Sequence, residues 1–344
     1  MSQMRKGWTT GACAAAAARA AAARLAGRDW PDPVRILLPK QVGADFGLAL
    51  KEEGSGWAMA GVVKNAGDDP DVTHGALILA RIEPGLPGSG LVFKAGEGLG
   101  TVTLPGLPIA VGEPAITPGP RAQIGANLAE FGADFIVTLA IANGAELALK
   151  TMNARLGVVG GLSILGTTGV VTPYSSAAWI GAIHRAVDVA RANGLEHIAA
   201  ATGEASERAA ARLHGLEAAA LIDIGGFAGA LLKYLKRHPV KRLTLSGGLA
   251  KISKLAAGNM DLHSKQSAVD MDFLAGLIDD SDLSRQVAAA NSAARALELA
   301  GSEPLAGRVA ERALDAARQF LDRPAIALDV LVCDRSGKVI GHAT

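Results

Sequence analysis

Cysteine is nearly absent from this chain. Of its 344 residues only Cys13 and Cys333 carry a thiol. That leaves no disulfide framework and no cysteine-rich metal site, and it fits a reducing cytoplasm. Aromatic residues make up only 4%, which argues against a base-stacking platform for single-stranded nucleic acid. Neither sign of charge prevails: 34 Lys and Arg stand against 33 Asp and Glu. There is thus no basic field for a phosphate backbone. No apolar run is long and unbroken enough to span a membrane. The seven histidines include no His-Glu-x-x-His, and no Gly-x-x-x-x-Gly-Lys-Ser/Thr occurs. Gly247-Gly248-Leu249-Ala250-Lys251 resembles a phosphate loop only superficially, and Gly96-Glu97-Gly98-Leu99-Gly100 lies between strand candidates. These bulk properties agree with a soluble enzyme.

What is abundant is alanine and glycine in ordered positions. Gly157 to Pro173 reads GVVGGLSILGTTGVVTP: an apolar strand running into Thr167-Thr168-Gly169, with a helix-like segment from Ser175 to Asn193 behind it. A strand, a Gly/Thr turn and a helix expose backbone N–H groups to a polar ligand, although such turns also serve tight packing. Thr9-Thr10-Gly11 opens an alanine-rich run ending near Leu25. Alanine favours helix and threonine caps it, so this start is either an ordinary N-cap or a site for an anion such as a carboxylate. Arg5 and Lys6 ahead of small residues resemble a secretory signal, but Arg19 and Arg24 interrupt the run and alanine is weakly apolar.

The length predicts two domains. Short strand candidates follow the first helix at Val34–Leu38, Phe46–Leu50, Trp57–Val63, Ala76–Ile82 and Leu91–Ala95. Their close spacing predicts an antiparallel α+β domain over residues 1–131, with a short helix over Arg121–Phe131. From residue 132 to 300, strand–loop–helix units predict a parallel α/β domain with Gly-rich loops at its carboxyl edge. Phe135–Ala142 and Val158–Leu165 are its first strands. Thr202, Gly203, Gly225 and Gly247 stand on such loops. Ser284–Leu299 and Ala306–Leu321 read as helices. Residues 301–344 are set apart as a helix and a terminal hairpin, Ile326–Cys333 with Lys338–Gly341, of unassigned pairing.

Several motifs along the chain match one family in order: GWTTGACAAAA at the start, KNAGDDPDVTHG at Lys64–Gly75, GEGLGTVT at Gly96–Thr103, the segment Lys150–Pro173, and KLAAGNMDLHS at Lys254–Ser264. The chain resembles the cobalt-precorrin-5B (C1)-methyltransferases, the CbiD family of cobalamin biosynthesis. The resemblance implies methyl transfer from S-adenosylmethionine to carbon C1 of cobalt-precorrin-5B, giving cobalt-precorrin-6A. It implies a cytoplasmic enzyme with a cobalt-containing tetrapyrrole partner, homo-oligomer formation as an option, and transient contact with other corrin-pathway enzymes. Cobalt arrives inside the substrate, so no metal site of the protein's own is required.

Candidate residues follow. Asp68, Asp69 and Asp71 crowd one turn. Close carboxylates can position a cation or a proton, and turns are also acidic for local hydrogen-bonding reasons. Asp68, Asp69 and His263, inside the matching motifs, are the candidates for catalysis. Thr9, Thr10, Gly11, Thr167, Thr168, Gly169 and Arg121 are candidates for the substrate carboxylates, Arg121 through a bidentate grip. Thr202, Gly203, Gly225 and Gly247 are candidates for the methyl donor. Two departures from the family pattern stand out: Thr117 replaces an asparagine before Pro118, and Ser267-Ala268-Val269-Asp270 lacks an arginine. Alternative readings are a non-catalytic tetrapyrrole carrier, or another small-molecule transferase or isomerase on the same scaffold.

Overall fold

The computed structural model describes residues 4–39, 42–323 and 325–344. The chain forms two compact units, Met1–Ser175 and Ser176–Thr344. Among the described residues no helix is long and apolar enough to cross a membrane.

In the first unit, strand β1 (Gly7–Trp8) leads into helix α1 (Thr10–Leu25). α1 is buried on nearly every face; only Arg19, Arg24 and Leu25 reach its surface. An alanine helix has no bulk to hold neighbours away, so other elements pack closely around it. It then runs through the core rather than along one side. Next come β2 (Val34–Leu38), β3 (Val42–Phe46), β4 (Leu50–Gly54), β5 (Trp57–Val63), β6 (Leu77–Pro84), β7 (Leu91–Ala95), β8 (Thr101–Val102) and α2 (Pro118–Leu128). β9 (Phe135–Ile141), α3 (Gly144–Ala148), β10 (Val158–Val159) and β11 (Val170–Val171) complete the unit. The main sheet has the order β4-β5-β6-β9-β7 and is antiparallel except where β7 runs parallel to β9. α1 packs on β5, β6 and α2.

This α+β unit is larger than the predicted 1–131. Phe135–Ile141, predicted to open the parallel domain, lies inside the first sheet. Its alternation turns Phe135, Val137, Leu139 and Ile141 into the core shared with α1. Phe46–Leu50 is not one strand: Phe46 ends β3, Leu50 begins β4, and residues 47–49 connect them. The Val158–Leu165 strand is also absent. Val158–Val159 pairs with β8, Leu162 and Ile164 make single bridges to Leu99 and Ile116, and Val170–Val171 pairs with β1. The segment is a strap tied to several distant partners, because its glycines break any continuous ladder.

The second unit is a parallel α/β layer. Its elements are α4 (Ser176–Ala192), β12 (His197–Ala201), α5 (Glu204–His214), β13 (Leu221–Asp223), α6 (Ala228–Leu235), β14 (Arg242–Gly248) and α7 (Leu249–Ala256). They continue as α8 (Met271–Ala275), α9 (Ser281–Ala288), α10 (Ala293–Ala300), α11 (Leu305–Leu321), β15 (Ala327–Cys333) and β16 (Val339–Ala343). The strand order is β13-β12-β14-β15-β16, all parallel but for the last pair. Residues 301–344 are therefore not set apart: the hairpin's first strand extends the parallel sheet beside β14. The helix predicted over Ser284–Leu299 is two helices. Asp280 caps α9, and the Ser292 side chain accepts from Arg295 N to start α10 afresh.

Candidate active site

Two loci collect the residues singled out in the sequence, one in each unit. In the first, β1 is clamped between two loops. Trp8 N donates to Asn65 O at 2.7 Å, and Thr9 N donates to Gly169 O at 3.0 Å. Glycine permits this crossing. A Cβ on Gly7 would stand 2.0 Å from the Ala66 carbonyl carbon, and one on Gly67, at φ +69°, 2.2 Å from Arg5 O. Asp68 Oδ2 accepts from Arg5 N at 2.6 Å. Asp69 Oδ1 accepts from Tyr174 N at 2.8 Å, drawing the end of the glycine strap onto the acidic loop. Beneath them Lys64, 1% exposed, meets Asp71 Oδ2 at 2.5 Å. Burial would raise the Asp71 carboxyl, but the Lys64 ammonium and Thr73 together hold it below its ordinary value.

The helix starts face the same turn. Thr9 caps α1, its Oγ1 accepting from Ala12 N at 3.2 Å. At the start of α2, Thr117 N donates to Ile164 O at 3.0 Å. Thr168 Oγ1 donates to Val170 O at 3.0 Å and accepts from Val170 N at 3.2 Å, closing the turn on itself, while Thr167 is exposed beside it. Thr9, Thr10, Gly11, Thr167, Thr168, Gly169, Asp68 and Asp69 are thus brought to one region of the first unit. Arg121 has another task. Its Nε donates to Ile116 O at 2.9 Å and its Nη2 to Glu113 Oε2 at 3.0 Å, with the guanidinium over the Phe93 ring. It braces the 113–116 segment rather than standing ready as a bidentate clamp.

The second locus is the carboxyl edge of the parallel sheet. A cleft of about 290 Å³ opens there, lined by Thr202, Gly203, Glu204, Ala205, Ser206, Gly248, Ala250, Lys251, Cys333 and Asp334. α5 and α7 both begin at it with glycine N-caps, Gly203 and Gly248, and no side-chain cap bond. Their first N–H groups face the cleft as donors. Lys251 Nζ donates to Thr202 O at 2.6 Å and Gly225 O at 3.2 Å, joining two of the loops. Burial holds its pKa below the ordinary lysine value. His263 belongs to this edge: Leu262 N donates to Gly226 O at 2.7 Å, and His263 Nδ1 accepts from Lys265 N at 3.2 Å. Asp68 and Asp69 therefore lie in one unit and His263 in the other. Both thiols stay protonated at neutral pH. Burial pushes Cys13 up to about 12 and raises Cys333.

Several residues at these loci escaped sequence reasoning. Lys251 carried a signal only through its superficial phosphate-loop context. Trp179, 46% exposed, donates from Nε1 to Asp223 O at 3.3 Å and lies against Gly225. Tyr174, 69% exposed with φ +55°, ends the strap.

Comparison with known proteins bears on both loci. The family description CbiD matches residues 1–173, and its C-terminal domain matches residues 261–344. The chain belongs to the CbiD family. A protein of Paramagnetospirillum magneticum named cobalt-precorrin-5B C(1)-methyltransferase is 54% identical, covering 99% of this chain and 98% of that one. One of the same name from Rhodospirillum rubrum is 53% identical over 98% of this chain and 97% of its own length. A crystal structure of cobalamin biosynthesis protein (cbiD) from Archaeoglobus fulgidus is 28% identical, covering 76% of this chain and 83% of that chain, with a TM-score of 0.40. Within CbiD, the first locus falls inside the first matched stretch except for Tyr174, and His263 lies inside the second. Thr202, Gly203, Gly225 and Gly247 lie between the two.

Proposed function

We propose that the chain transfers a methyl group from S-adenosylmethionine to carbon C1 of cobalt-precorrin-5B, giving cobalt-precorrin-6A. The observation that carries this is identity of about half along the full chain to proteins bearing that enzyme's name. S-adenosylmethionine supplies an electrophilic methyl on a sulfonium, and the macrocycle supplies the nucleophilic carbon. The protein's part is alignment and exclusion of water. With both thiols protonated, no covalent intermediate on cysteine is invoked.

We assign the donor to the carboxyl-edge cleft of the second unit. The helix starts at Glu204 and Leu249 offer N–H groups to its carboxylate. Glu204 and Asp334 offer acceptors to its ammonium group, and Lys251 fixes the spacing of the Thr202 and Gly225 loops. The macrocycle's carboxylates are assigned to the first locus, where Thr9, Thr10, Gly11 and the Thr167–Gly169 turn present hydroxyls and backbone N–H groups. Asp68 holds the acidic loop against the segment leading into β1 and Asp69 holds it to the end of the glycine strap, and the Asp69 charge orients the reacting edge of the macrocycle. Cobalt enters and leaves as part of the substrate.

Calorimetric titration tests this against a tetrapyrrole carrier. The enzyme reading expects saturable binding of S-adenosylmethionine, or of its demethylated product, alone or with the macrocycle present. A chain that binds the macrocycle yet gives no heat and no thermal shift with either is a carrier.

A further inference from the structure

The amino edge of the second sheet, opposite the cleft, carries a cluster that the reaction does not use. His197 opens β12 and is register-paired with Arg242 at the start of β14; Thr244 is paired with Asp329 of β15. His342 on β16 is paired with Leu331, which shares a face with Asp329. α5 packs on β12, β14 and β15 and ends at His214. Alternation thus brings three imidazoles around one carboxylate, although the nearest two lie far apart in sequence.

The geometry is that of an oriented ligand set. Asp329 is 1% exposed. Its Oδ1 accepts from Arg242 Nε at 3.1 Å, and Thr244 Oγ1 lies 3.0 Å from both carboxylate oxygens. Its Oδ2 meets His214 Nε2 at 3.0 Å, and His342 Nε2 stands 3.8 Å away. His197 Nε2 lies 2.8 Å from Thr244 Oγ1. Ligand atoms of His197, His214 and Asp329 all lie within 4.8 Å of one another.

We propose that His197, His214, His342 and Asp329 bind one zinc-class divalent transition-metal ion. Three imidazoles and a carboxylate are the donor set of a closed, four-coordinate site, which is a structural rather than a catalytic one. Hydrogen bonds from Arg242 and Thr244 fix the carboxylate from behind, as outer-shell partners of a ligating group do. Bonds of about 2.0–2.1 Å put tetrahedral ligands roughly 3.3 Å apart. His214 and Asp329 already stand near that spacing, His197 lies within 4.8 Å of both, and His342 Nε2 is 3.8 Å from the carboxylate. His342 is 37% exposed and gives the ion a way in. The Arg242 guanidinium, 42% exposed, opposes the ion, but water screens it. The bound ion pins the end of α5, whose other end forms the cleft.

The test uses the full chain, stripped with a chelator and dialysed, then titrated with Zn2+ against a chromophoric chelator and separately with Co2+. We expect one equivalent of Zn2+ per chain, a raised unfolding temperature, and the intense visible absorption of tetrahedral Co2+, displaced by Zn2+. His214→Ala abolishes this uptake. Thr244→Val, which keeps shape and loses the outer-shell bond, weakens it by about 10–100-fold. His238→Ala, a histidine stacked on Tyr234 away from the cluster, leaves it unchanged. A wild-type chain that takes up no Zn2+ overturns the proposal and leaves a buried ion-pair network. So does uptake that survives both His214→Ala and Thr244→Val.

Discussion

Replacing Asp71 by asparagine removes one negative charge from beneath the acidic loop and leaves nearly everything else in place. Asparagine keeps an oxygen for Thr73 N and Oγ1, which Asp71 Oδ1 holds at 2.8 and 2.6 Å. What it loses is the charge opposite Lys64 Nζ, at 2.5 Å, on a lysine only 1% exposed. Removing one partner of a buried pair costs about 3–5 kcal/mol, because the other charge stays buried without compensation. Asp71 is 25% exposed, which puts the estimate at the lower end, about 3 kcal/mol. With a urea m-value of about 2 kcal/mol/M, the midpoint falls by about 1.5 M. Trp8, Trp30 and Trp57 lie in the first unit and Trp179 in the second. Fluorescence in a Trp179→Phe background therefore reads the first unit alone. Lys64→Met added to Asp71→Asn should recover most of the loss, since an apolar chain of similar length needs no counter-charge. The pH dependence has a definite sign. Asp71 is held below its ordinary value when folded, so the pair's contribution is complete above the unfolded carboxyl pKa. It fades as pH falls through the folded one, and the asparagine variant lacks that acid limb. A variant within about 0.5 kcal/mol of the parent, where ordinary surface substitutions lie, or a double variant no better than the single one, would mean that the Lys64–Asp71 pair does not stabilise the first unit.

Three further outcomes bear on the two loci. Thr167→Val should weaken cobalt-precorrin-5B binding by about 10–100-fold, the equivalent of a charge-assisted hydrogen bond of about 1.5–3 kcal/mol. S-adenosylmethionine binding should be unchanged, with both read by tryptophan quenching; loss of donor affinity alone reassigns the turn. Asp69→Asn keeps an acceptor for Tyr174 N and removes the charge. Its turnover should fall by about a hundredfold while the unfolding midpoint holds, and a parallel loss of stability and rate makes the residue structural. Lys251→Met releases the Thr202 and Gly225 carbonyls, so donor affinity measured calorimetrically should drop by about tenfold or more. Unchanged affinity moves the donor elsewhere.

Local signals served well wherever local physics decides. Val34–Leu38, Trp57–Val63 and Leu91–Ala95 have the limits their alternation and turn residues predict. The alanine run is a helix capped by Thr9 as its hydroxyl requires. The loops at Thr202 and Gly225 do follow parallel strands, whereas Gly247 lies inside β14, paired with Val332. What failed depended on distant partners. Val158–Leu165 has the composition of a strand, but its partners are Leu99, Val102 and Ile116, and its glycines prevent a continuous ladder. Phe135–Ile141 has the composition of a strand in either sheet, and its ladders to the distant β6 and β7 assign it to the first. Arg121 looked free because nothing local marks Glu113 and Ile116 O as its acceptors. His197, His214, Asp329 and His342 have no spacing in sequence that marks a ligand set; the parallel register and α5 assemble it.

Transfer of a methyl to one ring carbon can be followed directly. The chain should be incubated with cobalt-precorrin-5B and 13C-methyl S-adenosylmethionine, and the extracted macrocycle read by mass spectrometry and 13C NMR. Each macrocycle should gain one labelled methyl, attached at C1, with a matching yield of demethylated donor and none when the donor is omitted. A macrocycle recovered at its starting mass from a chain that binds it tightly, or a label on another ring position, rules out C1-methyl transfer by this chain.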